Sequence, residues 1–297
     1  MDPLSRKKRI TYFIFFSIVF FAVVPLFIFY AQGYRFNLKD VVKVSETGGL
    51  YVSTDQSGIE IYVNNVLEKK TSIIQKTVFV QDLRPGTYDI RVSKNGLQTW
   101  SKRLKVFPEL VTEARTFLIK DHPELVSIPL YLSQATSTGS SVATTTKKAV
   151  KNPEYMLALK AFMTPLSTAP TTTKKVASTT DEFLPVQKLV FENTHGVLIA
   201  TWKGEQDAIP SYFCENTVCK SSIEVKAGGP VLAYDLFPGR DDLLIVQLAK
   251  GVYVVEIDDR SPQNKETIVE GEGYEFRIKE SGVLYLKHGV DIYSVAL

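Results

Sequence analysis

The longest feature in the hydrophobic pattern is an apolar run from Ile10 to Tyr30 that no charge interrupts. It has the roughly 20 residues a helix needs to cross about 30 Å of hydrocarbon. Arg6, Lys7, Lys8 and Arg9 stand directly before it and act as the topology signal. Positive-inside bias then leaves residues 1–9 as a cytoplasmic tail and places everything after about residue 32 outside the cytoplasm. A cleavable signal peptide is the competing reading, but its apolar stretch is shorter and ends in small residues. Here the exit is Phe27-Ile28-Phe29-Tyr30-Ala31, whose aromatics suit a membrane interface. The expectation is a single transmembrane helix over 10–31, bent at Pro25.

Beyond the helix the pattern changes to a period of two. Tyr88, Ile90 and Val92 alternate with Thr87, Asp89, Arg91 and Ser93, as in a half-buried strand. Lys94-Asn95-Gly96 predicts a tight turn. The returning strand carries Trp100, Leu104 and Val106 on one face, with Lys102 as the polar exception. Ile59, Ile61 and Val63 lead into a second turn at Asn64-Asn65, and further strands are expected at Thr77–Val80 and Arg115–Ile119. Six or seven short strands in about 70 residues imply a small β-sandwich over 48–120.

The stretch Leu83-Arg84-Pro85-Gly86-Thr87-Tyr88-Asp89-Ile90-Arg91-Val92 follows the pattern Leu-x-Pro-Gly-x-Tyr-x-Val-x-Val and continues into Lys94-Asn95-Gly96-Leu97-Gln98-Thr99-Trp100. It resembles the PEGA domain, a small extracytoplasmic β-sandwich of bacterial and archaeal surface proteins. Leu97 departs from that family's aromatic position, and Asn64-Asn65 replaces its usual Asp-Gly turn. The motif reads as structural. Pro85 and Gly86 shape a turn, with Gly86 free to take positive φ, and Tyr88 starts the inward face of a strand. The resemblance implies a display or scaffold module.

Residues 133–182 turn to Ser, Thr, Ala and Lys, and Thr144-Thr145-Thr146-Lys147-Lys148 recurs as Thr171-Thr172-Thr173-Lys174-Lys175. Such runs bury too little apolar area to offset ordering entropy and read as a linker. Inside it, Asn152-Pro153-Glu154 opens a short helix over about 153–163, with Tyr155, Leu159, Phe162 and Met163 as its apolar stripe. Alternation resumes over 183–297. Strands at Lys188–Phe191, Gly196–Trp202, Leu243–Val246, Gly251–Ile257 and Val283–Leu286 are punctuated by turn residues. This mainly β, antiparallel meander resembles part of a β-propeller, with Phe237-Pro238-Gly239-Arg240-Asp241-Asp242 as a turn before a blade's second strand. Such units are too few to close a ring alone, which leaves two expectations: segments before the linker, such as Glu124–Leu132, add a strand, or the propeller is truncated and rests against the PEGA-like domain.

Charge narrows the function classes. The chain has 35 Lys and Arg against 32 Asp and Glu; residues 1–31 hold four of the bases and one of the acids, leaving 31 of each. The exported part is therefore neutral, which argues against nucleic acid as a partner. Cys214 and Cys219 are within reach of a disulfide across a hairpin in an oxidising compartment. No metal or other cofactor is expected, because zinc needs about four ligands and no histidine lies near the pair. His122, His195 and His288 stand in separate turns, no nucleophile elbow or phosphate loop is present, and Asp241-Asp242 and Asp258-Asp259 lack a calcium-loop frame. The expectation is a non-catalytic, membrane-anchored protein that binds or scaffolds an envelope protein or glycan. An exported hydrolase is the alternative, and would need a pocket uniting a histidine with acids. Signalling inward is disfavoured because fewer than ten residues precede the span.

Overall fold

The computed structural model describes residues 6–31, 35–37, 43–72, 74–132, 150–163, 188–279 and 282–297; both Thr-Thr-Thr-Lys-Lys runs lie outside the described residues. Helix α1, Arg6–Ala31, contains Pro25 and is long and apolar enough to span a bilayer, with none of the candidate span Arg6–Ile28 buried in the protein. Thr11 Oγ1 donates back to Lys7 O at 3.0 Å, which satisfies one hydroxyl near the start of the apolar stretch. Strands β1 (Arg35–Asn37) and β2 (Lys43–Ser45) then pair antiparallel.

Seven strands follow: β3 (Gly48–Thr54), β4 (Glu60–Val63), β5 (Val66–Lys70), β6 (Thr77–Leu83), β7 (Gly86–Ser93), β8 (Trp100–Val106) and β9 (Val111–Thr116). They form two facing sheets, β6-β3-β9 and β5-β4-β7-β8. Leu50 and Val52 from one sheet, and Ile61, Val63, Ile90, Val92, Trp100 and Leu104 from the other, are buried between them. The alternation seen in the sequence is this inward face, since successive side chains of a strand point to opposite sides. The turn between β4 and β5 places both Asn64 (φ 50°) and Asn65 (φ 65°) in the left-handed region, the geometry of a two-residue hairpin and one that asparagine tolerates. Strand β3 also pairs parallel with β9, Gly49 opposite Val111 through Thr54 opposite Thr116.

After β10 (Leu125–Ile128), the short pair β11 (Tyr131–Leu132) and β12 (Val150–Lys151) leads into helix α2, Pro153–Met163. Asn152 Oδ1 accepts from Glu154 N at 3.0 Å and caps the helix. Tyr155 and Ala158 are buried against Ile128, Tyr285 and Ile292, with Leu159 and Phe162 packed alongside. Met163, expected in the apolar stripe, is exposed, the packed face being made by Tyr155, Ala158, Leu159 and Phe162.

The remaining strands are β13 (Leu189–Thr194), β14 (Val197–Trp202), β15 (Cys214–Glu215), β16 (Val218–Cys219), β17 (Ser222–Val225), β18 (Ala233–Leu236), β19 (Leu243–Leu248), β20 (Gly251–Glu256), β21 (Lys265–Glu270), β22 (Tyr274–Ile278), β23 (Leu284–His288) and β24 (Asp291–Val295). They form the sheets β13-β14-β17, β18-β19-β20-β21 and β10-β24-β23-β22, together with the small β15-β16 hairpin. Among the described residues these sheets do not close into a barrel. The sheet β18–β21 is a middle layer. Leu243, Ile245, Val252 and Val254 join the core shared by the sandwich and the last sheet, whereas Leu244, Val246, Tyr253 and Val255 join the core of β13-β14-β17. Burial on both faces explains why β19 and β20 read as continuous apolar runs, as central strands do.

Three local expectations are corrected. Gly86 has no positive φ; the left-handed residue near this motif is Asp82, at 62°. The connection from β6 to β7 carries the chain from one sheet to the other, so it is a corner and not a hairpin. Lys94–Gly96 does not make a tight hairpin either, since Val92 pairs with Trp100 and leaves a wider loop. Gly96 alone of the three takes positive φ, because Leu97 bridges to Lys120 and Gln98 N donates to Ile119 O, holding the loop open. The strand expected at Arg115–Ile119 lies earlier, at Val111–Thr116; Phe117, Leu118 and Ile119 are buried outside it.

Candidate functional site

Strand β8 is an edge of the sandwich, and its free edge is covered by the connection between β20 and β21. Arg103 N donates to Ser261 O at 2.7 Å and Ser101 N to Asn264 Oδ1 at 3.3 Å. Gln98 acts as a side-chain substitute for a strand, donating to Thr267 O at 2.9 Å and accepting from Thr267 N at 3.1 Å. An unpaired sheet edge is a liability that proteins cover. Here the cover comes from the same chain.

Behind this edge lies a buried ionic cluster. Lys102, whose side chain has no exposed surface, sits 2.6 Å from Glu256 Oε1 and 3.2 Å from Asp258 Oδ2, and donates to Asp258 O at 3.0 Å. Trp100 Nε1 donates to Glu256 Oε2 at 3.2 Å, and Asn264 donates to Glu256 Oε1 through both its backbone N and Nδ2, at 2.6 and 2.7 Å. Arg260 forks onto both oxygens of Asp258, the shortest contact being 2.6 Å. Burial pushes the Glu256 carboxyl up to about 7, with the Asp258 charge adding to burial and Lys102 opposing both. Burial also acts upward on Asp258, but the Arg260 fork and Lys102 outweigh it and hold that carboxyl below its ordinary range.

A second cluster joins the units through the β18–β19 turn. Arg240 is bidentate to Asp242, at 2.7 Å for both bonds, pairs with Asp55 and donates to Thr116 O. Arg115 of β9 reaches Asp241 Oδ1 at 2.5 Å, and Tyr212 donates to Asp241 O at 3.0 Å. Burial, with the charge of Asp241, raises the Tyr212 hydroxyl so that it stays a donor. Among the described residues no buried side-chain nitrogen or oxygen lacks a partner. A half-satisfied polar network would be worse than an apolar one.

Between the β8–β9 edge and the β15–β16 hairpin opens a cleft of about 570 Å³. Phe107, Leu110 and Val111 give it an apolar wall; Arg103, Lys105 and Arg260 bring positive charge, and Glu113 and Glu215 negative charge. Lys105 Nζ lies 5.0 Å from the Phe107 ring centroid, a cation–π distance. The opposite lip is the hairpin in which Cys214 faces Cys219, their Cα atoms 4.0 Å apart and joined by a disulfide.

Residues 47–120 match the family model of the PEGA domain. This segment is a PEGA domain. No curated protein matches the chain. The PEGA domain is the sandwich β3–β9, and its signature residues are placed by packing. Tyr88 lies on the inward face and donates to Arg84 O at 2.8 Å across the corner that Pro85 and Gly86 turn, a tie resembling the tyrosine corner of other sandwiches. Trp100 is core, but its indole also reaches the neighbouring unit. Asn95 and Gly96 lie in the loop beside Gln98 and help present it. Arg6 to Arg9 begin α1 and are exposed.

The candidate chemistry is dispersed. His195 (φ 54°) is in the β13–β14 turn, His288 ends β23 with its ring stacked on Tyr274 at 4.7 Å, and His122 follows the PEGA domain; none lines the cleft. Asp241, Asp242 and Asp258 belong to the ionic clusters, and Asp259 pairs with Lys220 at 2.5 Å. Among the described residues no group of three metal-ligating side chains converges. The interface role of Lys102, Glu256 and Asn264 was missed in the sequence. The available signal was a lysine on an otherwise apolar strand face, which demands a counter-charge.

Glu256 and Glu266 both have carboxyls raised from 4.5 to about 7; for Glu266 burial leads, followed by the charges of Glu256 and Asp121. Between those values the folded state binds protons that the unfolded chain does not. Stability therefore rises as pH falls from about 8 to about 5. Urea unfolding at several pH values should show this slope, and Glu266→Gln should flatten it. Stability that rises with pH over this window would contradict the assignment.

Proposed function

We propose that this is a non-catalytic, single-pass membrane protein whose PEGA domain and C-terminal β unit stand outside the cytoplasm and hold another component of the cell envelope, protein or glycan, in the junction cleft. The observation that carries the reading is the cleft itself: it is walled by both units, which the two ionic clusters hold as one body, and it combines apolar surface with charges of both signs. A pocket of this size with a few polar groups suits recognition of a ligand. Its lining supplies Glu113 and Glu215 but no histidine to work with them, which favours binding over the hydrolase alternative. Helix α1 supports anchoring, and Arg6–Arg9 support the outward orientation of the β units.

A photoreactive residue at Asn216, on the cleft lip, and another at Val290, on a turn outside it, test the proposal in intact cells. A defined adduct from Asn216 and none from Val290 is expected. Equal labelling at both positions, or turnover of a hydrolase substrate panel with no adduct, would overturn it. Protease added to spheroplasts should remove the regions beyond about residue 32; full protection would reverse the orientation.

A further inference from the structure

We propose that Lys102 and Asn264 are joined by an intramolecular isopeptide bond, formed by the protein itself with Glu256 as the proton carrier. The three groups meet around one atom. Glu256 Oε1 lies 2.6 Å from Lys102 Nζ and 2.7 Å from Asn264 Nδ2, so the amine and the carboxamide are hydrogen-bonded to the same oxygen. Asn264 Oδ1 is held by the backbone N of Ser101, the neighbour of the attacking residue. Lys102 and Glu256 are shut away from water and Asn264 nearly so, which removes the hydrolytic competitor and holds the reacting groups close together.

The chemistry balances without an oxidant or a co-reactant. A proton passes from the Lys102 ammonium to the Glu256 carboxylate, freeing the amine's electron pair. That pair forms a bond to Asn264 Cγ, the developing oxyanion at Oδ1 facing the Ser101 N–H, while Glu256 passes the proton on to Nδ2, the atom it is hydrogen-bonded to. The tetrahedral carbon then collapses, the Cγ–Nδ2 bond breaks, and Nδ2 departs as ammonium. Two of the three Lys102 protons leave with it, the third stays on the new amide nitrogen, and Glu256 ends ionised as it began. A carboxyl raised to about 7 suits this traffic in both directions. Asp258, the other carboxyl beside Lys102, is held ionised by Arg260, and a carboxylate anion is a poor acyl donor. The product also replaces a buried ammonium, expensive to keep from water, by a neutral amide.

Lys102 belongs to the PEGA domain and Asn264 to the C-terminal unit, with residues 133–187 between them in the chain. The bond is therefore a second covalent path across the junction. Intact mass of the full-length wild-type protein in detergent, after reduction of Cys214–Cys219, tests it. The expected mass is lower than the sequence mass by one ammonia, and digestion releases a branched peptide joining Lys102 to Asn264. Lys102→Arg and Asn264→Ala should restore the full mass and abolish the branched peptide. A wild-type chain at full sequence mass would overturn the proposal whatever the variants do, and so would loss of water with a branch at Asp258.

Discussion

Replacing Lys102 by methionine lowers the stability of the folded chain by about 3–5 kcal/mol, the range for removing one partner of a buried ion pair. The size follows from what is left behind. Asp258 keeps Arg260, but Glu256 loses the Lys102 nitrogen 2.6 Å away while remaining buried with Trp100 and Asn264 as its donors. The double replacement Lys102→Met with Glu256→Gln should recover a good part of the loss, because no buried charge is then stranded. Urea denaturation of the three proteins decides the matter. A single-variant cost below about 1 kcal/mol would be the value of an exposed pair and would mean that the junction is not locked at Lys102. Whether the contact is ionic or has become an amide, methionine removes it.

Arg240→Leu is expected to be the next most damaging change, again about 3–5 kcal/mol. Its guanidinium connects Asp242, Asp55 and Thr116 O, and its side chain is 6% exposed. Burial works against the charge, yet Asp242 and Asp55 outweigh burial and keep the group firmly protonated. Arg115 makes a comparable contact with Asp241 but is 40% exposed, so Arg115→Leu should cost only about 1 kcal/mol or less. Thermal or urea unfolding of the pair gives the ranking. Equal effects would show that burial does not set the strength of this second cluster.

How far the molecule could be read from its sequence depended on how local each contact is. Helix α1, the β4–β5 hairpin at Asn64-Asn65 and helix α2 rest on neighbours a few positions apart, and their residue patterns announce them. The motif around Pro85 identified the PEGA domain even though Gly86 does not take the backbone form expected of it, since the Tyr88 to Arg84 tie across the corner rests on other atoms. The parallel pairing of β3 with β9 joins residues some 60 positions apart and leaves no mark in either strand. The junction is more distant still. Lys102, Glu256 and Asn264 each look ordinary in their own segment, and Asp241-Asp242 and Asp258-Asp259 resemble turn acids. The docking of β8 against the β20–β21 connection gathers Lys102, Glu256, Asn264 and Asp258 into one cluster, and the β18–β19 turn meeting β9 gathers Asp241 and Asp242 into the other.

The position of β10 has a kinetic consequence. It lies ahead of residues 133–187, yet pairs with β24, which is an interior strand flanked by β10 and β23. Residues 125–128 therefore emerge from the ribosome long before their partner at 291–295 exists and must wait with an open edge. Closing so large a loop is slow compared with forming the local hairpins. The PEGA domain can complete its own ladders early, whereas the C-terminal unit is sealed by one late event that brings two distant stretches of chain together.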